Sequence, residues 1–252
     1  FSEGDRSDGL PVTFAEGIPA SVSRPGRALA AWLQWVADDY PQGVLAEMIS
    51  DGLLNVPVDD DLSFQHLARL LRPVAIGLGA AGYLPKLDEQ IEALTKNAPE
   101  VAADADEGAR SRDARARNLK GFVALRKLIA DLLKLSRAIE QPTGITLLEA
   151  ALKFLGDMAR SISELDRYAA ERLVEQLQDR QLWLKQFDFA LDLGKWLAAL
   201  PSQTRVLGSG PRPGHLHVAH VGTGGQSGRT QMFVVGLDDR RFPGASLQNP
   251  IL

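Results

Sequence analysis

Nine consecutive residues concentrate the groups that best suit binding of a phosphate. Gly222-Thr223-Gly224-Gly225-Gln226-Ser227-Gly228-Arg229-Thr230 holds four glycines, three hydroxyls and a guanidinium. Glycine lets backbone N–H groups approach an anion closely, hydroxyls donate to its oxygens, and arginine adds bidentate charge. No Gly-Lys-Ser/Thr follows, and the next expected element is a strand, so this is not a P-loop. The same composition also suits a plain connection between two strands. Three histidines stand just upstream, with His215 and His217 expected on one strand face and His220 near its end. Two such imidazoles can join a zinc site, but no carboxylate adjoins them, and a half-exposed or DNA-facing role fits them better.

Other chemistries find no footing. There is no cysteine, hence no disulfide, thiolate metal site or cysteine nucleophile, which suits a reducing compartment. The serine-bearing loop lacks a nucleophile-elbow pattern. Neither a Walker A lysine nor a nuclease carboxylate–lysine pattern can be assigned. Trp32 and Trp196 fall in apolar helical stripes, whereas Trp35 and Trp183 are expected to be partly exposed. His66, among Leu62, Leu67, Leu70 and Leu71, reads as an interhelical packing residue.

The elements that must position the glycine-rich run come from both ends of the chain. Leu10-Pro11-Val12-Thr13-Phe14 is a β-prone run between glycines. Ser23 then precedes Arg24-Pro25, an N-cap with proline in the first turn, and Leu29, Trp32, Leu33 and Val36 form a helical stripe ending near Pro41. From about 61 to 200 the pattern is almost entirely helical. Leu125, Leu128, Ile129, Leu132 and Leu133 share one face. Thr146 is placed to cap the run through Leu155, and Ser161 with Glu164 fits a capping box. Residues 97–118 carry five acidic and four basic groups with only alanines and Val101 as apolar residues, so a mobile loop or a solvated, frayed helix is expected there.

Beyond residue 200 the composition changes. The last 52 residues hold 9 of the 23 glycines, and five arginines (205, 212, 229, 240 and 241) face two aspartates there. Two strands are expected, His215–His220 with alternating character and Met232–Leu237 as a continuous apolar run buried on both faces. The expected fold is therefore α/β with a large all-helical insertion, its small, mainly parallel sheet built from both ends of the chain. The divisions are residues 1–60 and 201–252 for the two parts of the α/β base, and 61–200 for the insertion.

The 252 residues are 45% apolar and carry a net charge of -4. That excludes wholesale disorder and a global polycation, so nucleic acid would have to meet a local patch. No apolar run is long enough to span a membrane. The first residue is Phe1 and the last four are Asn249-Pro250-Ile251-Leu252, which reads as an excised piece of a longer protein.

After the second expected strand comes Gly236-Leu237-Asp238-Asp239-Arg240-Arg241-Phe242-Pro243-Gly244. A strand ending Val-Val-Gly-Leu-Asp and followed by Arg-Phe-Pro resembles the second helicase domain of superfamily I proteins of the RecB and AddAB kind. With Ser227-Gly228-Arg229-Thr230 before the strand, the chain is most similar to AddB-type subunits of ATP-dependent helicase–nucleases. Leu10–Phe14 and Gly17-Ile18-Pro19 resemble the early strand of that domain. The detailed match spans about 35 residues at the C-terminal end and, loosely, 20 near the start.

The resemblance implies a helicase-like domain that handles single-stranded DNA during repair and recombination of double-strand breaks in the cytoplasm. The residues against the DNA backbone would be Thr223, Gly228, Arg229 and Thr230, with Gln226 and Ser227 beside them. Active relatives usually carry Lys-Gly-Leu-Glu-Phe at the corresponding motif. The absence of its glutamate here implies a helicase fold kept as a scaffold, with no catalytic residue, cofactor or metal in this piece. ATP and Mg would belong to the parent complex. Other domains of the parent chain and a helicase–nuclease partner subunit would be its protein partners, with no membrane. The alternative reading is an α-helical interaction module on an α/β base that never touches nucleic acid.

Overall fold

The computed structural model describes residues 11–56, 62–96, 105–140, 144–186, 192–224 and 230–235. The chain divides into two compact units, one from Ile18 to Val206 and one from the two end segments, up to Gly17 and from Leu207. The described residues are mostly helical, with a small two-stranded parallel sheet.

The central unit begins at strand β2 (Ile18–Pro19; β1 belongs to the terminal unit) and ends at β3 (Arg205–Val206). These pair antiparallel, with Ile18 opposite Val206. Between them run α1 (Arg24–Ala37), α2 (Gln42–Ser50), α3 (Phe64–Leu71), α4 (Tyr83–Lys96), α5 (Ala105–Glu140), α6 (Gly144–Lys153), α7 (Glu164–Gln186) and α8 (Leu193–Gln203). Helix α1 starts as expected. The Gly26 N–H donates to the Ser23 hydroxyl, which itself donates to Ala20 O at 2.6 Å. This turn is so tight that a Cβ on Gly26 would lie 2.0 Å from the Ala20 carbonyl oxygen, so only glycine fits.

The stripe read on α1 does face the core. Leu29 and Trp32 are fully buried, and Leu33 and Val36 pack against them. Trp32 stacks on Phe154 with centroids 4.4 Å apart, and its indole N–H donates to Ser136, whose hydroxyl donates on to Leu132 O. Trp35 departs from the expectation of partial exposure. It is fully buried, edge-on to Tyr40 and Tyr83, because its indole N–H reaches the Tyr83 hydroxyl at 3.2 Å. The Tyr83 hydroxyl donates in turn to Tyr40 O, and burial pushes its pKa up to about 12. A sequence-distant acceptor thus turned a half-polar ring into a core residue. Trp183 remains 56% exposed, and Trp196 is half-buried under the Arg180 guanidinium.

Two local readings shift. Over 105–118 the backbone is helical, the N-terminal part of α5, and from Arg110 to Asn118 its side chains are mostly exposed. The solvated helix is the alternative realised there, and 97–104 lie outside the described residues. The capping box of α7 is formed by Ser163 and Asp166, not by Ser161 and Glu164. Asp166 N–H donates to the Ser163 hydroxyl, and Ser163 N–H donates back to the Asp166 carboxylate. The first helical residue is Glu164, which makes Ser163 the cap and Asp166 the third helical position. Helix α6 opens at Gly144, with Thr146 inside its first turn.

Asp166 does more than cap its own helix. It is 2% exposed, and it also accepts from Ile162 N, from Arg24 N at 2.8 Å and from the Arg24 guanidinium. The N-terminal turns of α1 and α7 are tied through one carboxylate. Burial alone would raise its pKa, but the N–H donors of Arg24, Ile162 and Ser163, with the Ser163 hydroxyl, outweigh it and hold the group at about 2.

Helix α6 ends in a π-turn, Phe154–Met158, closed by Ala159 N donating to Phe154 O. The chain then extends, and Ala159 bridges Leu54 in antiparallel fashion. No helix among the described residues is long and apolar enough to cross a membrane.

Candidate phosphate-binding turn

The terminal unit is organised by β1 (Val12–Phe14) and β4 (Leu216–Val218), which pair parallel with Thr13 opposite His217. The small parallel sheet is thus built from both ends of the chain. Phe14 also bridges Gly208 on its other side, and Ser209 N donates to Phe14 O.

The pair turns its histidines inward and its aliphatic residues outward. His215 and His217 are half-buried, whereas Leu216 and Val218 are 45% and 43% exposed. Thr13, nearly buried, meets His217 Nδ1 across the pair at 2.8 Å, and His215 Nδ1 lies 3.0 Å from Pro213 O. Both imidazoles are thereby engaged in local hydrogen bonding. Among the described residues no group of three His, Asp or Glu is placed to hold a metal ion.

Directly after β4 the glycine-rich run begins as a short helical turn, α9 (Val221–Gly224). Its organising group is Glu16, which the sequence reading did not select. One carboxylate oxygen of Glu16 accepts from His220 N at 3.0 Å and from the Thr223 hydroxyl at 2.8 Å. Those two bonds, the His220 backbone N–H first, hold the Glu16 carboxyl below its ordinary range. Gly222 N donates to His220 Nδ1, so that ring nitrogen is an acceptor in this arrangement. Nothing in the local pattern connects Glu16 with residues some 200 positions later.

The site residues therefore divide. Thr223 is exposed, but its hydroxyl is committed to Glu16, so a phosphate reaching it would meet a carboxylate first. Thr230 is exposed. Gln226, Ser227, Gly228 and Arg229 lie outside the described residues, as do Arg240 and Arg241. Arg205 is exposed on β3 in the central unit, and Arg212 belongs to the terminal unit.

The expected buried strand at Met232–Leu237 is corrected over its described part. Residues 231–235 form no strand, and Phe233 and Val235 are 82% and 87% exposed. A strand buried on both faces needs covering helices. The only described helix of the terminal unit is the four-residue α9, which cannot cover it.

Comparisons with family models, with curated proteins and with solved structures give no match.

Proposed function

We propose that this chain is a DNA-handling part of an AddB-like ATP-dependent helicase–nuclease subunit, acting in double-strand break repair and recombination in the cytoplasm. The reading rests on the resemblance to that family of about 35 residues at the C-terminal end, Ser227-Gly228-Arg229-Thr230 through Asn249-Pro250-Ile251-Leu252 among them, and loosely of about 20 near the start. The observation that carries it furthest is the parallel pairing of Val12–Phe14 with Leu216–Val218. It sets the glycine-rich run shortly after a strand of a sheet drawn from both chain ends, while the strand into which the resembled motif leads is not formed over residues 231–235. In this reading single-stranded DNA meets the backbone N–H groups of Gly228 and its neighbours, the Arg229 guanidinium, and Gln226, Ser227 and Thr230. Contacts of this kind position a strand without reading its bases. Thr223, held by Glu16, shapes the turn rather than binding phosphate. ATP and Mg act elsewhere in the parent complex, and a partner subunit completes the machine.

A second reading, the interaction module without nucleic-acid contact, is favoured by one observation. Phe233 and Val235 are almost fully exposed on the residues that follow the turn, a surface suited to protein rather than phosphate. Fluorescence anisotropy of a labelled single strand, at low and moderate salt, separates the two. On the DNA reading binding weakens with salt, and Arg229→Ala lowers both affinity and salt slope, the latter by about one contact's worth. Binding indifferent to Arg229→Ala and Thr230→Ala removes the turn from the interface and leaves the interaction module.

A further inference from the structure

The central unit carries a cleft of about 460 Å³ where α5 passes the π-turn. That volume lies within the range of small ligand pockets. Its inner wall is apolar, from Leu128, Leu135 and Met158, of which Leu128 and Met158 are buried. Three lysines border it, Lys127 and Lys134 from α5 and Lys153 from the end of α6, against two carboxylates, Asp131 and Asp157. The border is therefore net positive on a chain that is net negative.

These charges do not neutralise one another. Lys127 and Asp131, Asp131 and Lys134, and Lys153 and Asp157 stand at the spacings that pair on a helix. Elsewhere on the surface such spacings do pair, as in Lys86–Glu89, Lys96–Glu92, Arg172–Glu175 and Lys195–Asp192. Among the described residues, no ion pair joins any two of the cleft's charged groups. For Lys153 and Asp157 the π-turn supplies a cause, since its wider ladder opens the i, i+4 spacing. For the α5 lysine–aspartate pair at i, i+4, lysine precedes the acid, the less favourable order.

We propose that this cleft binds an acidic peptide segment of a partner protein. An apolar side chain of the segment enters against Leu128, Leu135 and Met158, and flanking carboxylates take the three lysine ammonium groups. The other classes fit less well. No aromatic residue is among the described residues that line the cleft, so it offers no platform for a base. Two carboxylates among three ammonium groups are no cation site either. This site is independent of the glycine-rich turn and stands or falls separately from the DNA reading.

The test uses the whole chain and a short fluorescein-labelled peptide in which leucine pairs alternate with glutamate pairs. The expected result is saturable binding that weakens with salt. It is at least tenfold weaker for the same peptide with lysine in place of glutamate. It is also at least tenfold weaker for the Lys127→Glu, Lys134→Glu, Lys153→Glu triple variant. The Lys→Gln triple variant, which adds no repulsion within the cleft, should fall between and guards against a folding defect in the first. No saturable binding, or equal binding by wild type and the Gln variant, overturns the proposal. Displacement of the peptide by an unlabelled single-stranded oligonucleotide also overturns it, since the lysines would then belong to phosphate.

Discussion

Asp166→Asn is the most informative single change for the fold, because one carboxylate serves the first turns of two helices. It accepts from Arg24 N, Ile162 N and Ser163 N, and from the Arg24 guanidinium at 3.1 Å. Depression of its pKa from 3.8 to about 2 is worth on the order of 2–3 kcal/mol. A depressed folded-state pKa stabilises fully above the unfolded value, and the contribution drains away as pH falls through the folded one. The wild type should therefore lose this increment between about pH 4 and pH 2. The amide keeps one acceptor oxygen but turns an NH₂ toward N–H donors, so the variant should be less stable at pH 7 by about 2–3 kcal/mol. Urea unfolding followed by tryptophan fluorescence reads the right unit, since Trp32, Trp35, Trp183 and Trp196 all lie between Ile18 and Val206. A variant within about 0.5 kcal/mol of wild type at pH 7, the ordinary scatter of a surface change, would refute the reasoning. So would a difference between the two that fails to shrink as pH approaches 2.

Gly26→Ala should cost on the order of 3 kcal/mol and roughly 10 °C in Tm, because its Cβ would sit 2.0 Å from a backbone oxygen. A thermal melt within a degree of wild type would show that the Ala20–Val22 turn can open without penalty. Glu16→Gln keeps an acceptor for His220 N and Thr223 but removes the negative charge beside the turn. On the DNA reading it should tighten single-strand binding a few-fold at low salt, with the gain vanishing as salt rises. A loss of affinity in the anisotropy titration would mean that the carboxylate itself supports the interface.

Features governed by a few neighbouring residues were legible in advance. Ser23 before Arg24-Pro25 starts α1, and the Leu29–Trp32–Leu33–Val36 stripe faces the core, because capping and helical period act within a turn or two. Val12–Phe14 was recognisable as a strand from β-prone residues bounded by glycine, and Leu216–Val218 from the alternating pattern of His215–His220. The capping box of α7 was misplaced by two residues. Ser161 and Ser163 offer similar local signals, and Asp166 is drawn into the competition by Arg24, 142 residues away.

Long-range partners account for the remainder. Trp35 is buried because Tyr83 accepts its N–H, and Thr223 is occupied because Glu16 accepts its hydroxyl. Neither acceptor carries a spacing that would mark it. Met232–Val235 has the composition of a buried strand, yet burial requires a covering surface, which an apolar run cannot specify for itself. The sequence alone determined where α1 starts, which helical faces are apolar and that β-prone segments lie at both ends. The pairing of those ends, the carboxylate that joins α1 to α7, and the lysines beside the π-turn that form no ion pair among the described residues were decided by tertiary structure. Hydrogen bonds and desolvation depend on which groups meet in space, and local pattern does not encode those meetings.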